Sequence, residues 1–341
     1  MLTTAEFRKH FLGYNIVDCV VRSAGYLYFI VQEDYTQRPG YDPTAGRDPD
    51  ASALIQRVVV WRPDQSGEKR WTHSWNKGMD ITIAEFASVP EDKLVAVDVG
   101  GEVYAIGSGS KGREGALPFE RNGRYGAVNQ LRNIDGHLYL CGGNRTIGIR
   151  RGIGQWHWET NRFPLSGHEF GSGNVGFRAI DGFDANDIYA VGDQGDVWHY
   201  TGKDWRRISF PSNQSLRTVC CAGDGKVYIS GYEGITFVGR GDEWRCIAEP
   251  GLALPFRDLV CHDGKVWATS DYGVWWIDEH GIAKAELPAD VSVCAGHLSS
   301  RAGILLLAGF HGAAVLQDGR WQLVFHHAAM AEYCHKEDPR A

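Results

Sequence analysis

Short apolar runs bounded by turn residues recur along the chain. A turn, an apolar and aromatic pair, small residues and often glycine return as GHLYLCGG, NDIYAVGD, GKVYISGY, GKVWATSD and AGILLLAG. Looser versions are GYLYFIV and DKLVAVD. The anchoring positions are Leu27, Leu94, Leu138, Ile188, Val227, Val266 and Ile304, and the last three separations are 39, 39 and 38 residues. Around Ile188 four strand-sized runs stand clear: FRAIDGF, DIYAVG, DVWHYT and DWRRISF. Gly192-Asp193-Gln194-Gly195 joins the second to the third, and Thr201-Gly202-Lys203-Asp204 the third to the fourth. Both joints carry hairpin chemistry. A tryptophan returns in the fourth run as Trp156, Trp205, Trp244 and Trp321, with Trp71 the displaced equivalent in the first unit.

Seven units of four antiparallel strands predict an all-β protein, a seven-bladed β-propeller. A lone four-stranded sheet cannot bury both faces, so neighbouring blades must stack, and the tryptophans are expected between them. The expected layout is an N-terminal cap at 1–13, a single propeller at 14–327 and a tail at 328–341. Blades are expected at 14–76, 80–126, 127–166, 175–211, 214–250, 254–288 and 290–327. The seventh takes VSVCAGH, ILLLAG, AAVLQ and RWQLVF as its strands. Residues 33–55 should form a long exposed loop between the second and third strands of blade one. A stretch at 107–126 replaces a tidy fourth strand in blade two, and 166–176 is a smaller excursion.

Composition agrees: 43 of 341 residues are Gly, with 12 Trp, 14 Tyr and 14 Phe. The net charge of −7 gives no general attraction to nucleic acid or anionic membrane. No window of about 18 apolar residues is available for a membrane helix, and the first residues lack a secretory apolar core. Eight cysteines without a CxxC pair read as free thiols in a reducing cytoplasm.

The form YAVGDQGDVWHYTGKDW resembles bacterial propellers of the broad WD-repeat-like and BNR/kelch-like group, over about residues 14–327. The WD dipeptide is absent at unit ends. The SxDxGxTW box of sialidases is only approximated by Ser270 to Trp275.

Catalytic and cofactor signals are weak. GxGxxG occurs at 107–112 and 171–176, but neither opens a helix as a dinucleotide site requires. His326, His327, Cys334 and His335 fit no zinc spacing, and a solvated tail is expected there. Asp184 to Asp187 is turn chemistry. No cofactor and no metal are expected.

Arg178, Arg217 and Arg257 take the same position at the start of three consecutive first strands, where an anion or acidic side chain could be held. The competing reading is a lattice of Arg–Asp pairs between blades, through Asp181 or Asp258. The turns joining second and third strands share that end of the blades. Their tips include Arg145, Asp193, Tyr232, Glu233, Asp271, Tyr272, Phe310 and His311. Exposed aromatics beside arginine compose a protein-binding surface. The resemblance implies a non-enzymatic, monomeric binding module whose partner is a protein. Its concrete form is a cytoplasmic immunity protein that neutralises a secreted toxin. A hydrolase or lyase using the central pocket is the enzyme alternative, and a lectin-like sugar binder the third.

Overall fold

The structure, a computed structural model, describes residues 2–38, 40–45, 53–117, 126–166, 175–249 and 251–337. Antiparallel pairing of each apolar run with the next builds seven four-stranded sheets, and the protein is a seven-bladed β-propeller. Blade one comprises Tyr14–Ser23, Tyr26–Glu33, Ile55–Trp61 and Trp71–Lys77. Blade two comprises Thr82–Ala87, Lys93–Asp98, Glu102–Gly107 and Ser110–Ala116. Blade three comprises Val128–Ile134, His137–Gly142, Thr146–Gly152 and Gln155–Trp158. Blade four follows with Phe177–Asp184, Asp187–Gly192, Val197–Tyr200 and Trp205–Arg207. Blade five has Leu216–Cys221, Val227–Gly231, Thr236–Arg240 and Glu243–Ile247. Blade six has Asp258–His262, Lys265–Ser270, Gly273–Ile277 and Ile282–Lys284, and blade seven His297–Arg301, Ile304–Gly309, Gly312–Gln317 and Arg320–His326. Trp71, Trp156, Trp205, Trp244 and Trp321 all stand in fourth strands.

Two of the expected strand assignments need correction. Ser110–Ala116 is a fourth strand of blade two, paired with Glu102–Gly107, so the glycines at 107, 109, 112 and 115 serve a twisted edge hairpin rather than a phosphate loop. In blade seven, VSVCAGH is not a strand. Ala289–Ser292 is a short helix (α2) started by Pro288, and His297–Arg301 is the innermost strand. Proline fixes the φ that a helix start needs.

The chain divides into two compact units. The first holds residues up to Thr82, 271–274 and those from Ala285, hence blades one and seven with helices α1 (Thr4–His10) and α3 (His327–Glu337). Its core gathers Phe7, Phe11, Phe29, Trp61, Trp71 and Phe325, with Trp61 and Trp71 stacked 5.4 Å apart. Thr3 and Glu6 close a capping box that starts α1. The tail docks by one side of α3: Cys334 is fully buried and Arg8 on α1 donates to its carbonyl at 3.1 Å, while Glu332, Tyr333, His335 and Lys336 are exposed. The base of the long loop is tied by Arg38, which grips Glu33 with two hydrogen bonds of 2.8 and 2.6 Å. Positions 46–52 of that loop lie outside the described residues.

The second unit holds 83–270 and 275–284, with blades three to five entire and blade two from its second residue on. Its blades are pinned along their innermost strands. Asn133 donates to Phe86 O, Arg132 makes a bidentate pair with Asp181 at 2.8 and 2.9 Å, and Asp181 also accepts from Cys221 N. Each of these bonds bridges neighbouring blades. Close approach explains some glycines: a Cβ at Gly192 would stand 1.7 Å from Gly176 O, where the second strand ends against the chain entering the first.

All eight cysteines are free, and Cys220 and Cys221 are pushed well above the usual thiol range by burial. Among the described residues no helix is long and apolar enough to cross a membrane, and no group of His, Cys, Asp or Glu is placed to hold a metal ion.

Candidate functional site

Antiparallel order puts the start of each first strand beside the turn between the second and third. Backbone bonds fix the relation: Asp193 N donates to Gly176 O and Tyr232 N to Ser215 O, both at 3.2 Å. The Asp193–Gly195 and Tyr232–Gly234 turns have the same shape, with Gln194 and Glu233 at φ +59° and a left-handed Gly after each. In both the middle side chain projects outward and is exposed.

In the second unit the arginines at this end play different parts. Arg178 Nε lies 3.1 Å from both Asp193 oxygens, so the pair closes inside blade four. Neither Asp181 nor Asp258 completes that contact; Asp181 serves Arg132 instead. Arg217 is half-buried with its guanidinium 5.3 Å from the centre of the Tyr232 ring, and among the described residues it has no ion pair. Arg257 is exposed and its backbone N–H donates to Thr269 O. Glu233 is exposed beside Tyr232, which is 45% exposed.

Two residues expected at tips are internal. Arg145 is buried and reaches from blade three to Asp196 of blade four. Asp193 is buried too, as the anchor of Arg178. Neither presents a free charge. The sequence reading missed the buried arginines Arg132 and Arg150 altogether. Arg150 is completely buried and bonds Glu114 at 2.7 Å across blades two and three. Arg150 falls on the strand face opposite to Ile147 and Ile149, and both faces are covered there, so strand alternation did not mark it as buried.

In the first unit, Tyr272 is 73% exposed and Phe310 57%, with Asp271 and His311 exposed beside them. Phe310 and His311 meet edge to face at 5.2 Å. Large apolar side chains so open contribute little to the core, and they make a surface able to bury area against a second protein. The chemistry on offer is aromatic contact, one half-buried cation and scattered acids; no nucleophile–base pair stands among these residues.

No protein-family model matches the chain. Its fold is shared with Sqt1 of Saccharomyces cerevisiae, at 9% identity and a TM-score of 0.57 over 91% of this chain and 85% of that one. Virginiamycin B lyase from Staphylococcus aureus shares it as well, at 12% identity and a TM-score of 0.53 over 70% of this chain and 83% of that one. In sequence the chain is 32% identical over 229 residues to the immune protein Tsi7 of Pseudomonas aeruginosa, a match covering 66% of this chain and 74% of that protein. With two-thirds of each protein aligned at that identity, this chain belongs to the family of the immune protein Tsi7.

Proposed function

We propose that the protein is a cytoplasmic immunity protein, monomeric alone, that binds a secreted bacterial toxin and neutralises it. The contact surface in this reading is the set of tips between second and third strands. In the first unit Tyr272 and Phe310 would supply aromatic anchors beside Asp271 and His311, and in the second unit Tyr232 would do so beside Glu233. Arg217 and Arg257 would meet acidic groups of the toxin. Arg178, Asp193 and Arg145 hold the tips in shape from within. The observation that carries the reading is the exposure of three large aromatics on tips in a chain of this family. Exposed aromatic anchors ringed by polar residues are what hot spots are made of.

The test is co-expression in a bacterium with the candidate toxin encoded beside it. The parent chain should protect, and Tyr272→Ala and Phe310→Ala together should lose protection while the purified variant keeps its melting temperature. Full protection by that double variant overturns the tip surface. Absence of protection by the parent against any neighbouring toxin overturns the immunity reading itself.

A further inference from the structure

Blades three and four enclose a cavity of about 210 Å³ toward the end of the blades opposite to the tips. His137 at the start of the second strand of blade three, Tyr139 and Ile149 line one side. Ala185 in the turn before the second strand of blade four, with Tyr200 and Trp205, lines the other. Drug-sized ligands occupy about 300–1,000 Å³, so this space suits a single ring. Its walls are three aromatic faces and isoleucines, and Tyr200 and Trp205 stand 5.4 Å apart.

The polar groups on the lining are unequally satisfied. Glu159 is paired with Arg162 at 2.8 Å and lies within hydrogen-bond distance of His157, also at 2.8 Å. Arg151, exposed at the rim, has no hydrogen bond or ion pair among the described residues. His137 Nδ1 is buried away from the accessible space, so the ring of His137 adds wall and no hydrogen-bonding group. The remaining charge is therefore the Arg151 cation at the mouth.

We propose that this cavity binds a small aromatic acid, one planar ring carrying one carboxylate. The ring packs among Tyr139, Tyr200 and Trp205. The carboxylate takes the two-pronged hydrogen bonding that the Arg151 guanidinium offers. The site is separate from the tips and does not rest on the immunity reading.

Saturation-transfer NMR and titration calorimetry on the full chain, with benzoate, 4-hydroxybenzoate, phenylacetate and neutral benzamide, test it. At least one acid should bind with a Kd of about 1 mM or tighter, and benzamide about tenfold more weakly. Arg151→Met should weaken the acid about tenfold, and Ala185→Trp, which fills the cavity from the turn, should abolish binding. Arg151 is exposed and Ala185 half-buried in a turn, and an unchanged melting temperature checks that folding is kept. Silence of all three acids at about 10 mM overturns the proposal, as does an Arg151→Met variant that binds like the parent. Loss of toxin binding in Ala185→Trp, with no acid bound by the parent, would assign the cavity to the protein interface instead and equally overturn it.

Discussion

Arg145 and Asp196 form an ion pair at 2.5 Å between blades three and four, with side chains only 5% and 1% exposed. Arg145 also donates to Pro164 O, and Asp196 accepts from Trp198 Nε1 at 3.1 Å and pairs with Arg207 at 3.0 Å. Arg145 sits at φ +52° following Asn144 at +54°. That left-handed turn aims the guanidinium back into the protein rather than out from the tip. A buried charge pair this well bonded fixes the blade-to-blade register wherever one partner cannot leave without stranding the other.

Arg145→Ala should therefore lower stability by about 3 kcal/mol, because Asp196 is left buried with only Arg207 and Trp198 to hold it. Replacing both partners, as Arg145→Met with Asp196→Leu, should recover most of the loss. Urea unfolding of the singles and the double measures this. A single variant as stable as the parent would sink the pinning role.

Gly195 stands at φ +67° with the position of a Cβ only 1.8 Å from Ser212 O. Backbone strain and a backbone clash coincide, and no side-chain rotation relieves either. Gly195→Ala should cost about 3 kcal/mol or more. Gly225, at φ +78° with nothing within 4 Å of its Cβ, should cost only about 1 kcal/mol on the same substitution. The difference between the two melting temperatures separates close approach from conformation alone.

The His10 and His73 Nδ1 atoms meet at 2.8 Å where α1 packs on blade one. One ring must accept, so both cannot be protonated. Burial first, then His73, Lys9 and Arg57, lower the His10 pKa from 6.5 to about 4, and burial lowers His73 as well. Between those values the unfolded chain binds the proton that the folded chain refuses, so stability rises with pH across this window and falls on acidification. The drop from pH 6.5 to 4 should be about 1–2 kcal/mol, with half-exposed His73 keeping it below the full linkage value. His10→Gln should flatten the slope in denaturant titrations at fixed pH steps.

The blade period was legible because every unit repeats one pairing scheme, and strand apolarity with turn glycines encodes pairing locally. Blade seven misled because Val291, Val293 and Cys294 look like a strand until Pro288 is weighed as a helix start. The arginines misled for another reason. Arg178, Arg217 and Arg257 share a register position, yet their roles depend on which residue tops the neighbouring turn: Asp193 in blade four, Tyr232 in blade five. That partner is fixed by three-dimensional approach, and spacing along the chain carries no trace of it.

The contrast between Arg178 and Arg217 gives the sharpest division between structure and binding. Arg178→Ala leaves the buried Asp193 carboxylate without its partner, and should cost about 1–3 kcal/mol of stability. Its effect on toxin affinity should follow only from loosening of the turn. Arg217→Ala loses a cation–π contact of about 0.5–1 kcal/mol, so the melting temperature should hardly move. If Arg217 meets a toxin carboxylate, that same variant should weaken the complex by about 2–5 kcal/mol, chiefly through faster dissociation. Calorimetric unfolding paired with surface-plasmon dissociation rates reads both quantities on the same proteins. Should Arg178→Ala abolish binding at unchanged stability while Arg217→Ala binds normally, the assignment of the two arginines is reversed. Dependence of the association rate on salt adds a check, since an exposed cation such as Arg257 steers an acidic partner. Arg257→Ala should therefore slow association at low salt and matter little at high salt.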